Sequence, residues 1–180
     1  MTLGGCASSH SRDMGSVSSA WGVIARAEAA AFHATTYPSQ ASQYGPGFRT
    51  VLDGGLSVSG VEYANAAKAR AEFTGRLNRF FGDIDCMVCP TMSNPARQKR
   101  DDPFAVLDSG GWSRLVERDV HTKPFNLSGN PTLSLPCGFT ADELPLSIQF
   151  VGPRMGEATI CRAGYAFQQA TQWHTKHPVL

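Results

Sequence analysis

Thr132-Leu133-Ser134-Leu135-Pro136-Cys137-Gly138 and, shortly after, Leu144-Pro145-Leu146-Ser147-Ile148-Gln149-Phe150-Val151-Gly152 decide the fold of this chain. Thr132 to Leu135 alternates polar and apolar residues, the period of a strand with one buried face. Ala141-Asp142-Glu143 reads as a turn. From Leu144 to Val151 the alternation returns, with Leu146, Ile148 and Phe150 on one face. Glu157 to Trp173 then changes to a helical period, carried by Ile160, Ala163, Gly164, Phe167 and Ala170. This final helix can cover one side of the two strands through Ile160, Phe167 and Ala170.

Working back toward the N-terminus, Asp85-Cys86-Met87-Val88-Cys89-Pro90 reads as a short buried strand. Before it lies the clearest helix. Ser59 and Glu62 have the spacing of a capping box. Ala66, Ala69, Phe73, Leu77, Phe80 and Phe81 form its apolar stripe, and Gly82 suits the stop. Phe48 to Leu52 predicts a short helix halted by Gly54-Gly55, after a turn at Tyr44-Gly45-Pro46-Gly47. Ser19 to Thr35 is Ala-rich and helical, ending before Tyr37-Pro38 because the residue before proline is pushed from the helical region. Residues 1–18, rich in Ser and Gly, read as a loose leader. Residues 95–108 read as a loop, and 112–120 as one or two helical turns. No internal repeat is present.

Composition bounds the function. The 180 residues are 42% hydrophobic and 17% charged, which is globular and excludes wholesale disorder. Sixteen basic and fifteen acidic residues leave a net charge of +1, which argues against a nucleic-acid-binding stripe. No apolar run reaches the roughly 18–20 residues of a membrane helix. The N-terminus lacks a basic start and an apolar stretch, so no secretory signal is read there. Five scattered cysteines, an odd number, point to a reducing, cytoplasmic setting rather than a disulfide framework.

Few residues offer chemistry. Cys86 and Cys89 have C-x-x-C spacing, but no second pair completes a zinc site, and positions i and i+3 of a strand face opposite ways. Buried thiols are the favoured reading, and a redox or zinc module the weak one. His121, His174 and His177 lack metal-ligand spacing; the last two suit the negative end of the final helix. Gly4-Gly5-Cys6-Ala7-Ser8-Ser9 resembles a nucleophile loop only faintly. Thr122 to Gly138 carries three prolines and two glycines. It is either a structural loop feeding a core strand or a rigid pocket rim.

In order and spacing, Arg70-Ala71-Glu72-Phe73, Asp85 to Thr91, Thr122 to Gly138, Leu144 to Gly152 and Glu157-Ala158-Thr159 resemble the C-terminal part of the amidase signature enzymes. These include bacterial amidases, fatty acid amide hydrolases and the A subunit of the transfer-RNA-dependent amidotransferase. The resemblance implies the C-terminal portion of an α/β domain, a mixed sheet flanked by helices, over residues 19–180. It implies hydrolysis of a carboxylic amide to acid plus ammonia or amine, with no metal and no cofactor. In that family a lysine takes the nucleophile's proton through a second serine, and a Gly-Gly-Ser-Ser-Gly-Gly-Ser-type loop holds the oxyanion. Here no lysine precedes Lys68 and no such loop occurs. The expectation is therefore a chain with no catalytic residue of its own, completed by an N-terminal half. The other reading is a non-catalytic remnant that binds a protein partner or itself. By the resemblance, Arg70 would meet a substrate carboxylate and Asp119 a substrate ammonium; both could equally be ordinary structural charges. A small-molecule amide is the implied substrate, with neither nucleic acid nor membrane as a direct partner.

Overall fold

The structure is a computed structural model that describes residues 10–96 and 121–176. The chain divides into two compact units, residues 1–71 with 100–120, and residues 72–99 with 121–180. No described helix is long and apolar enough to cross a membrane.

In the first unit, helix α1 (His10–Phe32) packs on helix α2 (Pro46–Leu56). Val17, Ala20, Ile24 and Ala30 of α1 and Val51 and Leu52 of α2 are buried. The helix begins at His10 rather than Ser19, so the part of the expected loose leader from His10 onward is helical. Residues 1–9 lie outside the described residues. Gly45 caps α2 and Pro46 opens it, where a missing N–H costs nothing. Contrary to expectation, α2 runs through Gly54-Gly55. The reason is tertiary. A methyl at Gly55 would overlap the Arg26 carbonyl and come within 2.8 Å of Ala30 Cβ, so this glycine lets the two helices touch.

Residues 33–44 turn back along α1. Tyr37 donates its hydroxyl hydrogen to Asp53 Oδ1, tying the turn to α2. The His33 ring lies 5.4 Å from both Tyr44 and Phe48, edge to face.

Helix α3 (Gly60–Phe80) starts in the first unit and ends in the second. Its capping box forms as the sequence predicts. Ser59 N donates to Glu62 Oε2 at 2.8 Å, and Glu62 N donates to Ser59 Oγ at 3.1 Å. The Ser59 backbone N–H, and then its hydroxyl, hold the Glu62 carboxyl below its usual value. Such a group stabilises the fold above its unfolded pKa, and the contribution vanishes as pH falls through the lowered folded value. Glu62→Ala should therefore lower the melting temperature near about pH 7 and leave it close to wild type near about pH 3. Circular dichroism melts at the two pH values check this. An undiminished gap in acid would mean that the box acts through something other than the carboxylate.

The second unit holds a three-stranded sheet in the order β1-β3-β2, with β1 Met87–Pro90, β2 Thr132–Phe139 and β3 Pro145–Val151. Both pairings are antiparallel. Residues directly opposite one another share a face. One face therefore carries Val88, Phe150 and Leu133, then Pro90, Ile148 and Leu135. Helix α5 (Glu157–Ala170) covers it, with Gly164 against Leu133 and Leu135 and Phe167 5.8 Å from Phe150. The other face carries Met87 and Val151, then Cys89, Gln149 and Ser134. Phe81 and Phe125 pack on Val151 here, joined by Leu77, Met87 and Cys89.

The register slips once, between Pro136, opposite Ser147, and Gly138, opposite Leu146, so Cys137 has no partner. β1 is shorter and more open than expected. Asp85 and Cys86 precede it, and Val88 is 51% exposed. Phe80, counted in the apolar stripe of α3, is 48% exposed, whereas Phe73 and Phe81 are buried. The proline-punctuated stretch from Thr122 contains a helix, α4 (Lys123–Ser128), which the loop expectation missed. It ends at Gly129, whose φ of 74° lies in the left-handed region that glycine tolerates.

Candidate functional site

The polar groups of the second unit gather around α4, which side chains hold to the sheet at both ends. At its start, Gln149 Nε2 donates to His121 O at 2.7 Å and to Pro90 O at 3.2 Å. At its end, Ser128 Oγ donates to Asn130 Oδ1 at 2.7 Å, and Asn130 Nδ2 donates to Gly152 O at 2.8 Å. Gln149, Ser128 and Asn130 are all buried, so these bonds form away from competing water. Their geometry follows from the strand period. Gln149 sits on the face of β3 opposite Phe150, between Ser147 and Val151, and so points under β1 and α4 rather than at α5. Beyond Gln149 the same face opens to hydroxyls. Thr91 Oγ1 donates to Ser134 Oγ at 3.4 Å, both outside the apolar core.

Lys123 is 4% exposed at the first turn of α4 and is engaged in interactions there. Cys86 and Cys89 are free thiols, each partly buried. Burial pushes the Cys89 thiol up, and a 3.4 Å hydrogen bond from Gln149 Nε2 opposes this. A thiol held protonated is a poor nucleophile and a poor metal ligand. Among the described residues, no group of three or more His, Cys, Asp and Glu could hold a metal ion.

The other singled-out residues are dispersed. Arg70 is an exposed residue of α3, close enough to Tyr63 for its charge to bear on that phenol. Asp119, His177 and the Gly4–Ser9 stretch lie outside the described residues. His121 contributes its backbone carbonyl to the Gln149 anchor. The final helix ends at Ala170 rather than Trp173, and His174 lies just beyond it in a 3-10 turn, Trp173–Thr175. Lys176 stacks its ammonium 5.0 Å from the Trp173 ring centroid.

Sequence reading missed the anchors Gln149, Ser128 and Asn130. The available signal was the position of Gln149: a long polar side chain on the face opposite Ile148 and Phe150, two residues before a fully buried valine. What the cluster can do chemically is hold backbone in place and present hydroxyls. The described residues of this cluster hold no activated nucleophile paired with a base.

The family model described as Amidase matches residues 16–161, and the chain belongs to that family. A putative amidase, AmiD, of Mycobacterium tuberculosis is 39% identical over 151 residues, covering 84% of this chain and 31% of its own length. The A subunit of the glutamyl-tRNA(Gln) amidotransferase from Methanosarcina barkeri is 35% identical over 161 residues, covering 85% and 32%. A crystal structure of an amidase superimposes with a TM-score of 0.72 at 22% identity, over 86% of this chain and 35% of that one. The chain thus spans about a third of the length of the relatives it matches. The α/β class inferred from the sequence agrees with this neighbour.

Proposed function

We propose that this chain is the C-terminal part of an amidase and supplies one wall of its substrate pocket. The reaction is hydrolysis of a small carboxylic amide to the acid and ammonia or an amine, in the cytoplasm and without a metal or organic cofactor. The observation that carries the reading is the family match over residues 16–161, together with relatives about three times as long. The lysine and the glycine-serine loop of the amidase signature enzymes have no counterpart in these 180 residues. An N-terminal half is the source of the nucleophile, and the segment here gives the wall against which the substrate is held.

Within that wall, Arg70 and Asp119 are the proposed substrate contacts. A guanidinium fork binds a carboxylate through two parallel hydrogen bonds, and a carboxylate binds an ammonium. Arg70 is exposed on α3, as a contact to an external ligand requires.

Reconstitution tests the proposal. The chain is co-expressed with the N-terminal two-thirds of an AmiD-type relative, and ammonia release from simple amides is followed. Release by the complex and by neither part alone supports the reading. A stable complex that releases none identifies a non-catalytic remnant. In the active complex, Arg70→Ala should raise KM for a carboxylate-bearing amide about tenfold to a hundredfold, as expected for a lost charged hydrogen bond. An unchanged KM would make Arg70 an ordinary surface charge.

A further inference from the structure

We infer that Gln149 is a positioning residue of the pocket wall, fixing the exit of β1 against the entry of α4 so that Thr91 and the first turn of α4 keep a set separation. The inference rests on the amidase reading for its consequence in catalysis, though not for its geometry.

Gln149 is 1% exposed. Its amide nitrogen has two hydrogens. The His121 and Pro90 carbonyls, at 2.7 and 3.2 Å, accept them, and Cys89 Sγ at 3.4 Å is a weaker third contact. These two carbonyls belong to different elements. Pro90 is the last residue of β1, and His121 immediately precedes the capping residue of α4. In sequence they are separated by residues 91–120, and the Gln149 side chain joins them directly.

A second contact comes from the same strand. Thr91 N donates to Ser147 O at 3.1 Å, so β3 grips the backbone on both sides of the Pro90–Thr91 bond. Its backbone holds Thr91 and the Gln149 side chain holds Pro90. The Gln149 side chain extends this grip to His121. Thr91 in turn places its hydroxyl 3.4 Å from Ser134 Oγ, on the open part of this sheet face. Gln149 lies opposite Ser134 in the register but is 1% exposed, so it offers no atom to a ligand on this open surface. Its effect on a bound substrate is transmitted through Pro90 and His121, and so falls on substrate affinity more than on the chemical step.

Gln149→Met tests this because it keeps the length and apolar stem but donates no hydrogen bond. Hydrogen exchange is read on the 180-residue chain. Exchange at Asn126 N, which donates to Thr122 O at 3.1 Å in the first turn of α4, should accelerate about tenfold, the scale of one lost hydrogen bond, while Thr91 N, held by Ser147 O, and the β2–β3 ladder amides keep their protection. Gln149→His, with one ring N–H to donate, should fall between wild type and Met, and it serves as the test if the Met variant does not fold. Unchanged exchange at Asn126 would overturn the proposal. So would an equal loss across the ladder, which would make Gln149 a packing residue only. In the reconstituted amidase, Gln149→Met should raise KM about tenfold with kcat within about twofold. A fall in kcat at constant KM would overturn the role assigned here. If the wild-type complex shows no activity, the amidase reading fails, while the exchange experiment still decides whether Gln149 is the anchor.

Discussion

Incubated alone with simple aliphatic and aryl amides, the 180-residue chain should release ammonia no faster than buffer. Amide hydrolysis through an acyl-enzyme needs a nucleophile, a base within hydrogen-bonding reach, and donors aimed at the developing oxyanion. The described cluster around α4 has none of these in combination. Ser128 spends its hydroxyl hydrogen on Asn130, and the Cys89 thiol is pushed up by burial. In serine hydrolases, removing the nucleophile or its base costs roughly a millionfold in kcat. The deficit in the isolated chain should be of that order, and a sensitive coupled ammonia assay compared with the reconstituted complex measures it. Turnover by the purified chain that persists in Cys89→Ala and Ser128→Ala would end the view that the chemistry comes from another segment.

The second large effect is expected at Gly55, and its neighbour supplies the control. Alanine normally improves a helix interior over glycine by about 1 kcal/mol. At Gly54 the nearest atom to a new methyl is Arg26 Cδ at 3.8 Å, ordinary contact with a flexible side chain. Gly54→Ala should therefore stabilise the first unit by about 0.5–1 kcal/mol. At Gly55 the methyl would enter the backbone of α1 at Arg26, and Ala30 Cβ would lie 2.8 Å away. Neither can move without separating α1 from α2, where Leu52 is fully buried. Overpacking of this kind costs about 1–3 kcal/mol or more and outweighs the propensity gain. Gly55→Ala should destabilise by about 2 kcal/mol. Denaturant unfolding of the two variants side by side gives opposite signs if the close approach is real. The same sign for both would show that α1 and α2 do not meet as described.

The features that could be read from sequence are those settled by nearby residues. Ser59 and Glu62 form their box three residues apart, and the alternation in Leu144–Val151 and the stripe in Glu157–Ala170 each declare their own period. Where sequence reading went astray, a distant partner decides. Gly54-Gly55 looks like a stop until Arg26 is seen against it. Thr122–Ser128 looks like a loop because Pro124 and the prolines that follow the segment mask a short helix that Gln149 holds at its start and Asn130 at its end. Among the described residues Val88 lies on an outer strand and is half open, which a short apolar run does not reveal. The family, carried by the spacing of several short stretches, was legible. The anchors beneath it were not, because a buried Gln shows its importance only through the two carbonyls it serves.

The unpaired Cys137 has a consequence for association. Among the described residues, β2 is an outer strand of the sheet, and an outer strand is a template for any extended chain that meets it. Pro136 has no N–H to offer on either side, and the slip at Cys137 breaks the even spacing of donors and acceptors just beyond it. A newcomer can zip along Thr132–Leu135 and must then halt. The bulge therefore works as a ruler. It denies a stacking copy the long uninterrupted ribbon on which fibrils grow.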